Sequence, residues 1–113
     1  MKEPILINIL GSEWTIKETN VQEDGKLHSC NGYCDPSTKT IVLDDAVNLA
    51  TDPTTIDNLD FNKFLTYRHE IVHAFLQESG LSELAHNELV VEWMAIQFPK
   101  IYKVFETLGC LGV

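Results

Sequence analysis

Two histidines four residues apart, His69 and His73, sit inside a stretch whose apolar residues recur every three or four positions. Phe61, Phe64, Leu65, Ile71, Val72, Phe75 and Leu76 have the spacing of a helix with one buried face. On such a helix, positions i and i+4 lie one turn apart on the same side. The two imidazoles can therefore close on one cation at about 2.0–2.1 Å each. Glu70 stands beside the first of them, where a carboxylate can reach a water on that cation and act as general base. Ile71 and Val72 anchor the helix in the core, so the histidine face is held rigidly, as a metal site requires. The His69-Glu70-Ile71-Val72-His73 run points to metal-assisted hydrolysis, most often of a peptide bond.

Local signals frame this helix. Asn58 or Asp60 can cap its start, and Gly80 is a natural stop after Glu78 and Ser79. Asp52, Asp57 and Asp60 read as caps and turn residues, not as ligands. Before the helix the chain has the character of strands. Residues 5–10 and 14–19 are candidate strands separated by a turn at Gly11-Ser12-Glu13, and 27–33 is a candidate short third. Asp24-Gly25 is a hairpin dipeptide. Asp35-Pro36-Ser37 makes a turn, and 39–43 is the clearest strand of the chain. Asp44 and Asp45 can cap a short helix over 46–49, followed by a polar loop at 51–58.

After a brief connection at 81–86, residues 88–97 read as a second amphipathic helix with Leu89, Val90, Trp93, Met94, Ile96 and Phe98 as its core. Pro99 should kink or end it, with a further helical segment over 101–108. The expected fold is α+β: a small twisted N-terminal sheet, then the His69/His73 helix, then a second, glutamate-bearing helix.

With 113 residues, the chain has room for one core and reads as a single domain over 1–113. A net charge of −9 argues against nucleic acid, whose phosphates need a basic stripe, and against an anionic membrane surface. No apolar run is long enough to span a membrane, and the N-terminus suits a strand better than a signal peptide. Three cysteines, an odd number without an export signal, favour free thiols in a cytoplasmic protein. Cys30 and Cys34 beside His28 lack the spacing of a zinc knuckle and read as loop thiols.

A catalytic zinc keeps three protein ligands and one open position, so the second helix must supply a third. Glu88 and Glu92, one turn apart, both qualify. With Asn87-Glu88-Leu89-Val90-Val91-Glu92-Trp93 and His69-Glu70-Ile71-Val72-His73-Ala74-Phe75-Leu76, the chain resembles the gluzincin type of zinc metallopeptidase. More narrowly it is similar to small phage-borne and ImmA/IrrE-like members. The likeness extends weakly to Gly32-Tyr33-Cys34-Asp35 and Thr38-Lys39-Thr40-Ile41. It implies a zincin-like fold, Zn2+ as cofactor, a peptide or protein substrate, Glu70 as the catalytic base, and His69 and His73 as metal ligands.

An Asn-Glu pair in that family makes Glu88 the third ligand and Glu92 the residue that orients a histidine. A common family spacing, and the Glu92-x-x-Ala95-x-x-Phe98 pattern, select Glu92 instead. Glu88 is favoured, because the other choice leaves Asn87-Glu88 without a role.

The resemblance also implies a His or Tyr that stabilises the oxyanion, for which Tyr67, His86, His28 and Tyr33 are candidates. It further implies an edge strand that pairs with extended substrate, for which 39–43 is the best choice. The chain is too short for a second lobe. A weakly active or strictly dedicated peptidase is therefore expected, and the alternative is a zinc-binding regulatory module of a phage-encoded type, with little or no turnover.

Overall fold

Ile9 and Ser12 pair across a two-residue turn in which Leu10 and Gly11 both take positive φ, 51° and 94°. Two central residues of that kind match the right-handed twist of the strands they join. In the computed structural model, which describes residues 3–45 and 59–112, this hairpin links β1 (Ile5–Ile9) to β2 (Ser12–Thr19). The turn thus falls one residue earlier than the Gly11-Ser12-Glu13 reading placed it, with Ser12 and Glu13 already in the strand. A second antiparallel hairpin joins β3 (Gly32–Asp35) to β4 (Thr40–Asp44). β4 lies parallel beside β2, so the sheet is mixed and its order is β1-β2-β4-β3.

Two strand expectations need correction. Residues 27–33 do not form one strand: a 3₁₀ turn occupies Gly25–His28, and β3 begins only at Gly32. Asp24 is its cap, accepting from the Lys26 N–H at 3.1 Å. Gly25 is not among the positive-φ residues, which the tight hairpin turn would require. The Asp-Gly pair therefore serves a cap.

The strand at 39–43 is real, but as β4 it is interior, flanked by β2 and β3. Among the described residues, the edge strand on that side is β3.

The fold continues with α1 (Leu59–Glu78), a short α2 (Ser82–Ala85) and α3 (Glu88–Leu108), which completes an α+β architecture. The expected helix over 46–49, the loop at 51–58 and the cap residues Asp52, Asp57 and Asn58 lie outside the described residues. Asp60 falls inside α1. Among the described residues, no helix is long and apolar enough to cross a membrane.

Alternation along the strands builds the core. Ile7 and Ile9, Trp14 and Ile16, Cys34, and Ile41 and Leu43 share one sheet face, on which α1 lays Tyr67, Ile71 and Ala74. A second cluster joins Val72 and Leu76 of α1 to Ala85, Val91 and Met94. Thus α1 has two packed faces, not one. Phe61, Phe64 and Phe75 fall on the arc left between them and are exposed, contrary to the single-face reading. In α3, likewise, Val91 and Ala95 are buried, while Leu89, Trp93 and Phe98 are exposed.

Both ends of α1 are pinned. At its C-terminus, Glu78 accepts from the Trp14 indole at 2.8 Å, Ser12 at 3.0 Å and Lys39 at 2.6 Å. Gly80, with φ 79°, ends the helix in a Schellman motif: Leu81 donates to the Leu76 carbonyl and Gly80 to that of Gln77. Nearer its start, Tyr67 donates to Glu18, and Lys63 lies 3.1 Å from the same carboxylate. Gly32 lets β3 come close. A Cβ there would stand 2.9 Å from the Val42 carbonyl oxygen and 3.3 Å from the Thr66 methyl. That contact sets the edge strand beside the histidine side of α1.

Candidate metal centre

His69 and His73 share the third side of α1, turned away from the sheet and toward the start of α3. Asn87 caps α3, its side chain accepting from the Val90 N–H at 3.2 Å, which puts Glu88 in the first turn. A carboxylate there is favoured by the helix dipole. Asn87 therefore has a structural role of its own, independent of which glutamate would bind a metal.

The donor atoms converge. His69 Nε2 lies 3.2 Å from His73 Nε2 and 2.9 Å from Glu88 Oε2, and His73 Nε2 lies 3.1 Å from Glu88 Oε1. Glu92 is placed differently, with Oε1 at 3.3 Å from His69 Nδ1, on the far side of the ring. Among the described residues, His69, His73 and Glu88 are the one group of at least three side chains placed to hold a metal ion. His28, Cys30 and Cys34 form no such group.

The chemistry of this donor set fits a divalent cation. Ligands at about 2.0–2.1 Å around a tetrahedral ion stand about 3.3–3.4 Å apart, close to the 3.2 Å between the two Nε2 atoms, each of which has a different Glu88 oxygen within 3.1 Å. In the tautomer in which His69 donates from Nδ1 to Glu92, its Nε2 lone pair faces the Glu88 carboxylate. A cation relieves that repulsion and uses every lone pair. His73 is further fixed by a hydrogen bond to the Ala85 backbone. Burial holds its imidazole pKa below the ordinary value, against the pull of Glu88, which leaves the neutral form ready to coordinate.

Glu70 lies on α1 between the histidine side and the sheet side and is 7% exposed. Burial pushes its carboxyl up to about 7, with His69 acting in the other direction and Glu88 and Glu92 adding to the rise. It lines a cavity of about 560 Å³ together with His69, His73, Glu88 and Glu92. The opposite wall comes from the β3 edge, with Tyr33 and Cys34, and a rim from His86. That volume falls in the range of small-molecule and peptide side-chain pockets. Cys34 faces Glu70 across it. Burial and that carboxylate push its thiol up to about 12, so it stays protonated.

Of the four oxyanion candidates, the cavity wall includes only Tyr33 and His86. The Tyr33 hydroxyl is already committed to Asp24, and that of Tyr67 to Glu18. His86 Nδ1 lies 2.7 Å from the Ser82 carbonyl, and among the described residues its Nε2 has no hydrogen-bond partner. No family model, curated protein or solved structure matches the chain. Its own geometry is what speaks for its chemistry.

One supporting residue was not anticipated. Helix α3 continues through Pro99, so of the two expectations there, a kink or an end, the helix does not end. Proline lacks the N–H that would bond to the carbonyl four residues back, here Ala95, and a buried carbonyl left bare is costly. Arg68 supplies the missing donor, its Nε lying 2.6 Å from the Ala95 oxygen. Arg68 precedes His69, and Ala95 lies one turn beyond Glu92, so this bond fixes against each other the two helices that carry the candidate ligands.

Arg68→Met is expected to lower unfolding stability in urea by about 1–3 kcal/mol. Adding Pro99→Ala should restore most of the loss by returning a backbone donor to Ala95. Pro99→Ala in the wild-type background completes the cycle. Strict additivity would show that the two residues do not share that carbonyl.

Proposed function

We propose that this chain is a zinc-dependent peptidase of zincin-like design, in which His69, His73 and Glu88 hold the ion and Glu70 is the base. The observation that carries this reading is the joint placement of a three-donor cluster and a buried carboxylate on one cavity. A structural zinc is closed by four protein ligands and has no use for a neighbouring base, whereas a catalytic one keeps a position open. A cation there supplies Lewis acidity toward a carbonyl and makes water acidic enough to attack near neutral pH.

The chain's own residues do the rest. Glu70 takes the proton of the attacking water and returns it to the departing amine nitrogen. Glu92 keeps the His69 proton on Nδ1, which orients the ring. β3, the outer strand on that side among the described residues, and not β4, is where an extended substrate can add as a strand, with backbone hydrogen bonds giving affinity at little cost in sequence preference. His86 offers Nε2 from the rim.

Metal analysis of purified protein, paired with a fluorogenic peptide-library assay, tests the proposal. About one equivalent of zinc and measurable cleavage are expected for the wild type, with both lost in His69→Ala and in His73→Ala. Unchanged metal content in the two variants would remove the site. Zinc bound at full stoichiometry with no cleavage across the library would favour the regulatory module instead.

A further inference from the structure

Helix α3 outlasts the body it packs on. Near its start, buried Val91 lies in the cluster with Val72, Leu76 and Ala85, and partly buried Met94 packs against it. The same alternation of three and four residues then continues through Phe98, Ile101, Phe105 and Leu108, a heptad seam. In this second half most of the seam is uncovered, with Ile101 partly buried. Phe98, Phe105 and Leu108, with the flanking Tyr102 and Val104, are 44 to 72% exposed. Every charge in the segment, Lys100, Lys103 and Glu106, falls on the opposite side of the helix. The radius of gyration, 15.0 Å, exceeds the roughly 13 Å of a compact chain of about this length.

We infer that a second copy of this chain covers the seam, the two C-terminal halves of α3 packing antiparallel about a two-fold axis near Lys103. Self-pairing suits this surface because the seam and its flanks carry no charge, so a like sequence meets no repulsion. In the antiparallel register Phe98 meets Leu108 and Ile101 meets Phe105. The body sits at the N-terminal end of α3, and this direction keeps the two bodies at opposite ends.

The area is sufficient. With aromatic side chains carrying about 150–250 Å² each, the five exposed residues offer roughly 500 Å² per chain. Two copies then bury about 1,000 Å², the lower bound of a specific interface. This inference does not depend on the metal reading.

Sedimentation of the full chain over about a hundredfold range of concentration tests it. A monomer–dimer equilibrium is expected, weakened at least about tenfold by Phe105→Glu and by Leu108→Glu. The circular dichroism melt of each diluted variant should match that of wild-type monomer, since both side chains face solvent there. Cys110 is exposed just past the helix end, and an antiparallel pair holds its two copies about 20 Å apart. Efficient Cys110–Cys110 crosslinking in the dimer would overturn the antiparallel register. A wild type that stays monomeric throughout would overturn the proposal, and its sedimenting with anionic vesicles would assign the face to lipid. So would a dimer that survives both substitutions, or one abolished by Leu6→Lys on the opposite sheet edge.

Discussion

Glu70→Gln should retain the wild-type equivalent of zinc while peptide cleavage falls by about two to four orders of magnitude, the usual worth of a positioned general base. The expectation rests on where the carboxylate stands. It shares the cavity with His69 and His73 but not their donor cluster, so its charge is not needed to hold the ion. Glutamine keeps its size and its place in the wall and loses only the ability to take a proton. Metal content and kcat are measured on the same preparation, and a melting curve confirms that the fold is intact. A variant as active as the wild type would exclude Glu70 as base. A variant that lost its zinc would place Glu70 among the ligands, against the geometry described above.

How much of this was legible in the sequence depends on the range of the forces involved. His69, Glu70 and His73 could be read together because helical periodicity is local, and one turn brings the two imidazoles to the same side. Glu88 and Glu92 were legible as a pair for the same reason. The order between them was not, since it depends on how α3 approaches α1. The strand character of 5–10 and 14–19 came from alternation, but that pattern does not say which neighbour a strand takes. β4 was therefore read as an edge when it is interior. Asp24-Gly25 is compatible with a hairpin or a cap, and only backbone φ separates them.

Large apolar residues misled in both helices. Phe61, Phe64, Phe75, Leu89 and Trp93 fit a helical period, yet the faces that pack are chosen by small residues, Ala74, Ala85 and Ala95, which let the elements approach. Arg68 was invisible for a different reason. Its partner is a backbone carbonyl left without a donor by a proline four residues later on another helix. A search for proline inside an apolar helix paired with a lone arginine on its neighbour could have raised the question.

Substitutions at the two glutamates should separate sharply in zinc affinity. Glu88 extends one carboxylate oxygen to each Nε2, at 2.9 and 3.1 Å, and its removal deletes a donor from the cluster. Glu88→Ala is therefore expected to purify with far less than one equivalent of zinc and to show no cleavage. Glu92 meets His69 at Nδ1, at 3.3 Å, on the side of the ring away from Nε2, where an ion would be held. Its part is to hold the proton and the ring angle, and a residue of that kind is typically worth 10–100-fold in metal affinity. Glu92→Gln should accordingly keep a stoichiometric site at saturating zinc but release it to a chelator at correspondingly lower concentration. A competition titration with a chromophoric chelator measures both variants on one scale. The reverse order, with Glu92→Gln empty and Glu88→Ala nearly intact, would transfer the ligand role to Glu92. In that event α3 must turn on loading to carry Glu92 past the His69 ring, and the Arg68–Ala95 bond would have to break.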